Sequence, residues 1–400
     1  MKFKKFGTII LPLVIAALNI MIIIFPRESL AAARDGLQLW AQSVLPGILP
    51  FVIGANLLMA LGGASFFGEL LSPIMRTVFK VPGIGGFALA IGLMSGYPVG
   101  TKVVCEMRAA GQLSKSEAQR LAAFTSNAGP LFILGAVAVG MFGSAPLGYF
   151  MLATHYLGAL SVGLIMRFYK SREARPHKNI EHSQYPLHIR AFRAIEVTRR
   201  KDSRSFGLIF GHCVKNAVET MLIIGGFVIL FSVISTILEL SGVFYALSVT
   251  FGPILQFVGI SEMFHVEHFV GMVEMTNGVS MLSTHGISPQ TVALGVAIIS
   301  FGGLSILFQS ISFIGKTDIS VPIFVICKIM HGVIAGVVAV ILYPLFANTF
   351  EQAQVVAVYN HVDGPVAKFA QSTVYFAVMM IGLLIVALSI LAAKNARKSR

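Results

Sequence analysis

The chain has 400 residues, 56% hydrophobic and only 12% charged, against about 25% charged in soluble proteins. With a mean hydropathy of +0.82 and long apolar runs, this composition excludes an ordinary soluble enzyme and describes an integral membrane protein. Thirty Lys and Arg face 17 Asp and Glu, and the +13 excess gathers in the first five residues, between Lys170 and Arg204, and in the last seven, a positive-inside distribution and not a nucleic-acid surface.

Residues 8–25 form an apolar run of spanning length behind Lys2, Lys4 and Lys5. Ala31-Ala32-Ala33 offers a signal-peptide cut as the alternative, but the run exceeds the about 7 to 15 residues of a signal core and reads as an uncleaved first helix. An amphipathic stretch around Arg34 to Trp40 follows, then a span at 45–63 whose Pro46 and Pro50 suit a first turn or a kink. Residues 64–80 end in Arg76 and Lys80 and read as interfacial. Ile84 to Met94 is apolar for only about eleven residues, Ser95-Gly96-Tyr97-Pro98-Val99-Gly100 breaks it, and Thr101 to Ala110 carries Lys102, Glu106 and Arg108. Neither arm can cross a hydrocarbon layer of about 30 Å at about 1.5 Å per residue. The pair predicts a re-entrant hairpin at about 83–110, with a kinked helix as the alternative.

Ser114-Lys115-Ser116-Glu117 has the capping-box pattern and predicts a helix to about Phe142, interrupted by the polar, helix-breaking run Thr125 to Pro130. Spans at 120–141 and 146–168 lead into a basic cytoplasmic linker, 169–206. Further spans at 217–240, 289–312, 321–346 and 371–393 make about eight, with a second hairpin at about 263–285. Residues 347–400 hold an extracytoplasmic loop, the last span and a basic tail.

Chemical motifs are scarce. Gly315-Lys316-Thr317 mimics the end of a phosphate-binding loop, but Ser310 stands where its first glycine belongs and no strand-to-helix unit surrounds it. His265-Val266-Glu267-His268 lacks both the spacing of a helical zinc site and a second cluster, and reads as an interfacial polar turn. The three cysteines, Cys105, Cys213 and Cys327, lie in or beside apolar stretches. No enzyme activity, cofactor, metal site or disulfide framework is expected.

The second half repeats the first. Phe51-Val52-Ile53 set over Phe227-Val228-Ile229 gives an offset of 227 − 51 = 176. Gly92 then falls near Gly271, Gly100 near Gly278, Ser126 to Gly129 over Ser300-Phe301-Gly302-Gly303, and His155 near His331. Residues 45–168 and 207–346 are read as duplicated units, behind an N-terminal helix and interfacial segment at 1–44. Between residues 64 and 120 there are six basic residues, and between 216 and 315 there are none, so the first hairpin enters from the cytoplasm and the second from outside. The expected architecture is an all-α polytopic membrane protein with about eight transmembrane helices and two re-entrant helical hairpins in an inverted-topology repeat. Both termini are then cytoplasmic. Secondary transporters share this signature and place their substrate site at the repeat interface near the midplane.

Ser95 to Lys102, Ser126-Asn127-Ala128-Gly129-Pro130-Leu131-Phe132, Glu274-Met275-Thr276-Asn277-Gly278 and Phe301-Gly302-Gly303-Leu304-Ser305 resemble motifs of the YlbJ-type sporulation integral membrane proteins, which carry the nucleoside-recognition (Gate) domain. The resemblance covers roughly residues 35–346. It implies a spore-forming bacterium, a cell or forespore membrane, and a role in spore envelope or cortex formation. The Gate group is in turn similar to the concentrative nucleoside transporters, whose hairpin tips and unwound helices hold nucleobase, ribose and sodium. The first tip here is Ser95-Gly96-Tyr97-Pro98, without the glutamine-threonine-glutamate that reads the base, so the resemblance implies the fold and not a nucleoside substrate.

If the tips face each other, the first repeat lines the site with Ser95, Tyr97, Lys102, Ser126 and Asn127, and the second with Glu274, Thr276, Asn277, Ser300, Ser305 and Gln309. Polar groups at this depth are expensive and usually functional. Glu274 either takes up a proton or sodium as coupling ion or pairs with Lys102 as a lock. Asn127 and Asn277 either bind substrate or satisfy broken-helix backbone, and His155 and His331 read as helix-to-helix hydrogen bonds. The expected partners are the lipid bilayer and an unknown small polar solute, with a homo-oligomer left open. The leading reading is a transporter working by alternating access; the alternative is a non-transporting scaffold of the sporulation machinery.

The topology is testable with single cysteines in a background without the native ones. In intact cells Arg172→Cys and Lys398→Cys should be protected from an impermeant thiol reagent, and Glu262→Cys should label. Labelling at position 172 would break the span parity and with it the inverted repeat.

Overall fold

The structure, a computed structural model, describes residues 2–170, 186–202 and 204–357, and every regular element among them is helical. Four helices are long and apolar enough to cross a membrane: Ala145–Met166, Phe206–Leu240, Pro289–Ile314 (which breaks at Gly302) and Val321–Phe350. Counting each of two bent pairs as one span raises the number to six among the described residues: Pro12–Ile24 with Pro26–Gln42 at 103°, and Ile48–Ala60 with Gly63–Phe79 at 83°. The expected span at 371–393, the basic tail and much of the linker lie outside the described residues.

The N-terminal half contains α1 (Lys2–Ile24), α2 (Pro26–Leu39), α3 (Leu45–Ala60) and α4 (Gly63–Ile74), then the short pair α5 (Gly85–Ser95) and α6 (Val99–Ala109). α7 (Lys115–Thr125) starts on the expected capping box: Ser114 N–H donates to Glu117 Oε2 at 2.8 Å and Glu117 N–H to Ser114 Oγ at 3.3 Å. Residues 126–130 leave the helix, a wide-turned π-helical stretch occupies Leu131–Met141, and α8 (Ala145–Met166) crosses back. After α9 (Leu187–Lys201) the second half runs through α10 (Phe206–Leu240), α11 (Val243–Phe257), the short pair α12 (His265–Val273) and α13 (Met275–Ser283), then α14 (Pro289–Phe301), α15 (Gly303–Ile314) and α16 (Val321–Ala357). α14 also opens on a capping box, between Ser288 and Thr291. The amphipathic stretch expected around Arg34 is the longer helix α2, which packs along α10 and ends where Trp40 Nε1 donates to the Met221 carbonyl at 3.0 Å.

Both short pairs fold back on themselves. Gly92 and Gly100 are eight residues apart, which in a continuous helix means about 12 Å, yet a methyl group on Gly100 would lie 2.8 Å from Gly92 Cα and collide with the Thr125 carbonyl oxygen. The kinked-helix alternative is excluded. In the second pair a methyl on Gly278 would sit 2.9 Å from the Glu267 carbonyl oxygen and closer still to Gly271 Cα. The glycine pairs that the repeat alignment superposed are thus the contact points of the two hairpin arms. The first hairpin packs on α7 and the second on α14 and α15.

At one face the repeats are joined at the base of the first hairpin. Arg108 forks onto Asp318, with Nε–Oδ1 and Nη2–Oδ2 both 2.8 Å, and holds that carboxyl below the usual carboxylate range. Beside it the Gln119 amide exchanges two hydrogen bonds with Ser320, Nε2 donating to its carbonyl and Oε1 accepting from its N–H.

Gly100→Ala and Gly278→Ala should each destabilise the purified protein by about 1 to 3 kcal/mol, because the backbones must part to admit the methyl. Gly226→Ala on α10, where nothing lies within 4 Å of the new methyl, should be neutral or slightly stabilising. Thermal unfolding of the three variants checks the contrast.

Candidate functional site

Each hairpin tip meets the break in the long helix of its own repeat. α5 ends at Ser95, and Gly96 turns with φ +80° against the Gly129 amide. α7 stops at Thr125, where the Asn127 side-chain amide donates back to the Phe124 carbonyl at 2.9 Å and so closes the last turn. In the second repeat Glu274 separates α12 from α13 and caps α13, its Oε2 accepting from Asn277 N–H at 2.8 Å. The second break is Gly302-Gly303, with φ of +90° and +69°, and a methyl on Gly303 would press on the Gly271 and Val273 carbonyls.

Between the tips lies a cavity of about 440 Å³. Ser95 and Tyr97 reach it from the first tip, Glu274 and Thr276 from the second, and Ser305 and Gln309 from α15. The rest of the lining is apolar, including Leu131, Phe132 and Gly135 on the π-helical stretch and Val44, Ile48, Ile224 and Val228 opposite. Gln309 is fully buried; its Nε2 donates to Ser305 Oγ at 3.3 Å, while its Oε1 has no partner. A volume of this size falls in the ordinary range for small-molecule pockets, about 300 to 1,000 Å³.

Behind the first tip lies a second polar feature that is closed. Lys328 on α16 is fully buried, and its Nζ donates to Tyr97 Oη at 2.9 Å, to the Ser126 carbonyl at 2.9 Å and to His331 Nδ1 at 3.3 Å. Tyr97 Oη donates onward to the Ile299 and Ser300 carbonyls at 3.0 and 3.1 Å, the last turn of α14. His331 Nε2 donates to the His155 carbonyl at 2.9 Å. His155 accepts the Ala128 N–H on Nε2 at 3.0 Å and meets Ser300 Oγ through Nδ1 at 2.7 Å. The first tip, both helix breaks, α8 and α16 therefore share one hydrogen-bonded junction.

Of the eleven residues expected to line the site, six border the cavity, as described. Ser126 and Ser300 belong to the closed junction, and Asn127 satisfies broken-helix backbone. Asn277 is exposed, its backbone N–H spent on the Glu274 cap. Lys102 pairs with Glu106 one turn along α6 at 3.0 Å; the expected pair with Glu274 does not form, because Glu274 faces its own helix start. His155 and His331 do link helices, as expected. His265 Nε2 bonds the Ile260 carbonyl at 3.2 Å and Glu267 pairs with His285 at 3.2 Å, so the His265 to His268 motif diverges. Among the described residues no three His, Cys, Asp or Glu gather to hold a metal ion. Lys328 was not among the expected residues, although it is the one charged side chain between Val321 and Phe350, which is itself the signal of a buried functional or structural charge.

No known family profile matches the chain. It is 37% identical over 358 residues, 89% of its length and 88% of the relative's, to the sporulation integral membrane protein YlbJ of Bacillus subtilis (strain 168). The chain belongs to the YlbJ family of sporulation integral membrane proteins. Among solved structures, a doubly substituted CNTnw, a concentrative nucleoside transporter, in an outward-facing state aligns over 86% of each chain at 13% identity with a TM-score of 0.41.

In this YlbJ-family chain Lys102 and Glu274 have separate partners, so Lys102→Met and Glu274→Gln should add within about 0.5 kcal/mol in a double-mutant cycle. Glu274→Ala, which removes the cap, should cost about 0.5 to 2 kcal/mol, and Glu274→Gln less, since the amide oxygen still accepts the Asn277 N–H. A coupling energy above about 1 kcal/mol between positions 102 and 274 would overturn this assignment.

Proposed function

We propose that the protein is a transporter-like, non-enzymatic membrane protein of sporulation, which moves a small solute through the cavity between the hairpin tips by alternating access and so serves spore envelope or cortex formation. The observation that carries this reading is the cavity itself: both repeats line it, as in inverted-repeat transporters, which bind substrate at the repeat interface, and one of its lining residues, Gln309, holds a buried amide oxygen without a partner. The mostly apolar lining with hydrogen-bonding groups from both tips suits a small organic solute with an apolar face as well as polar groups. Glu274 is the group proposed to take up a coupling proton or sodium. The cell or forespore membrane, with both termini cytoplasmic, is the proposed setting.

One observation favours the scaffold reading. The bonds from Tyr97 to the α14 carbonyls tie the first tip across the repeats, as a locked assembly requires. The two readings part on whether the cavity is used.

Gly135 borders the cavity and a methyl there would have its nearest neighbour 3.8 Å away, at Leu131 Cδ1. Gly135→Phe should fill the space, leave the protein folded and inserted, and abolish spore cortex formation. A cavity-filled variant at normal abundance that still supports sporulation would sink transport and leave the scaffold. The solute class can be read from thermal unfolding in the presence of nucleosides, amino acids, sugars and dipicolinate-like anions. A true ligand at 100 times its Kd stabilises by about 2.7 kcal/mol, and Gly135→Phe should erase that stabilisation.

A further inference from the structure

Lys328 carries no role in the cavity, and its surroundings are specific. Its three neighbours are all acceptors, and the network fixes each one's direction. Tyr97 spends its hydroxyl proton on the Ile299 and Ser300 carbonyls and so offers Lys328 a lone pair. His331 must hold its proton on Nε2, which faces a carbonyl oxygen, and so offers Nδ1 as a lone pair. The third acceptor is the carbonyl of Ser126 in the broken stretch after α7. An ammonium group has three donors and no acceptor, and here it finds three acceptors and no donor. No carboxylate forms an ion pair with Lys328 among the described residues. The negative ends of two helices take that place, since α7 stops at Thr125 and α14 at Phe301 beside the same junction.

Helix ends and unwound carbonyls arranged in this way are what inverted-repeat transporters use to hold a sodium ion or a proton. We propose that Lys328 is the resident cation of this junction: its side-chain ammonium fills a monovalent-cation site formed by the Ser126 carbonyl, Tyr97 and His331, so that no metal ion is taken there. The inference does not rest on solute transport, because the junction is built the same way in a locked scaffold. The positive charge comes from α16 of the second repeat, and the aligned position in the first, 328 − 176 = 152, is Leu152. The charge is thus a one-sided addition to a duplicated frame.

The experiment is chemical rescue of the truncated side chain. Lys328→Ala removes the equivalent of propylammonium, and the purified variant should melt several degrees below the unsubstituted protein. Propylammonium should restore the melting temperature in a saturable way, while 1-propanol and propionamide at the same concentrations should not. Lys328→Gln, which keeps a neutral donor, should stay destabilised. A Lys328→Gln variant as stable as the parent, or equal rescue by the neutral compounds, would show that donation without charge suffices and overturn the proposal. Should neither variant accumulate in folded form, the melting temperature of Glu274→Gln decides, with that carboxylate removed as a competing ion site. Equal values in sodium and in N-methylglucamine at one ionic strength support a filled site, and a sodium-specific rise overturns it.

Discussion

A helix interrupted inside a bilayer leaves carbonyl and amide groups that no water can satisfy, and each one left open costs several kcal/mol. The fold around residues 126–130 and 300–303 is organised by that constraint. Asn127 returns to the Phe124 carbonyl, His155 takes the Ala128 amide, Tyr97 serves the last carbonyls of α14, and Lys328 serves Ser126. Each of these side chains comes from a different element or folds back on its own, so the breaks exist only because the rest of the molecule supplies their partners. The glycine contacts have the same origin. Only residues without a side chain let the Gly92–Gly100 and Gly271–Gly278 arms lie close enough to bring their tips to the breaks.

Much of this was legible in the sequence. The hairpins showed as apolar runs too short to cross, the breaks as polar and glycine-rich interruptions of spans, and the start of α7 as a capping box whose two hydrogen bonds are both present. These are local signals, set by backbone chemistry within a few residues. The alignment of Gly92 with Gly271 and Gly100 with Gly278 was also visible, because close backbone approach leaves a composition that no substitution can imitate. The side-chain partners were less legible. The position of Lys102 near the tip suggests the cavity, but the helical register of α6 sends it to Glu106, an i,i+4 neighbour already present in the sequence. Lys328 is a lone charge in an apolar span, a signal the sequence reading passes over, and its acceptors come from residues 97, 126 and 331, which only tertiary packing brings together. The apolar wall of the cavity, drawn from α3, α10 and the π-helical stretch, depends on how those helices lean on one another, which periodicity does not encode.

The duplication is therefore structural and not chemical. Both repeats supply a hairpin, a break and a histidine, but the histidines do unequal work. His155 satisfies the first break directly, whereas His331 reaches only the His155 backbone and presents its other nitrogen to Lys328. Tyr97 has no counterpart at the second tip, where the cavity-lining neighbour of Glu274 is Met275. A buried polar network in which every member is satisfied rigidifies what it joins, while one left half-satisfied is worse than an apolar core. The network here runs across the repeats, from Tyr97, Ser126 and His155 to Ser300, Lys328 and His331, and ties the first tip to α14 and α16.

That asymmetry bears on which part of the molecule can move. Separating the first tip from α14 exposes the Tyr97 hydroxyl and two carbonyls, and frees Lys328 from one of its three acceptors. At about 1 to 3 kcal/mol for each buried group left unpaired, such a motion costs several kcal/mol before any packing is lost. Among the described residues the second tip has no such tether. Among the described residues its polar groups bond within the tip, Glu274 to Asn277 and Thr276, and it meets the first repeat only through apolar contact and the cavity. Those internal bonds travel with the hairpin and are not broken when it shifts. A motion that opens the cavity at low cost therefore moves α12 and α13 with Glu274, leaving Tyr97, Lys328 and both histidines in place. On such a path the carboxylate would ride on the hairpin that shifts, and the ammonium would stay with the tethered junction.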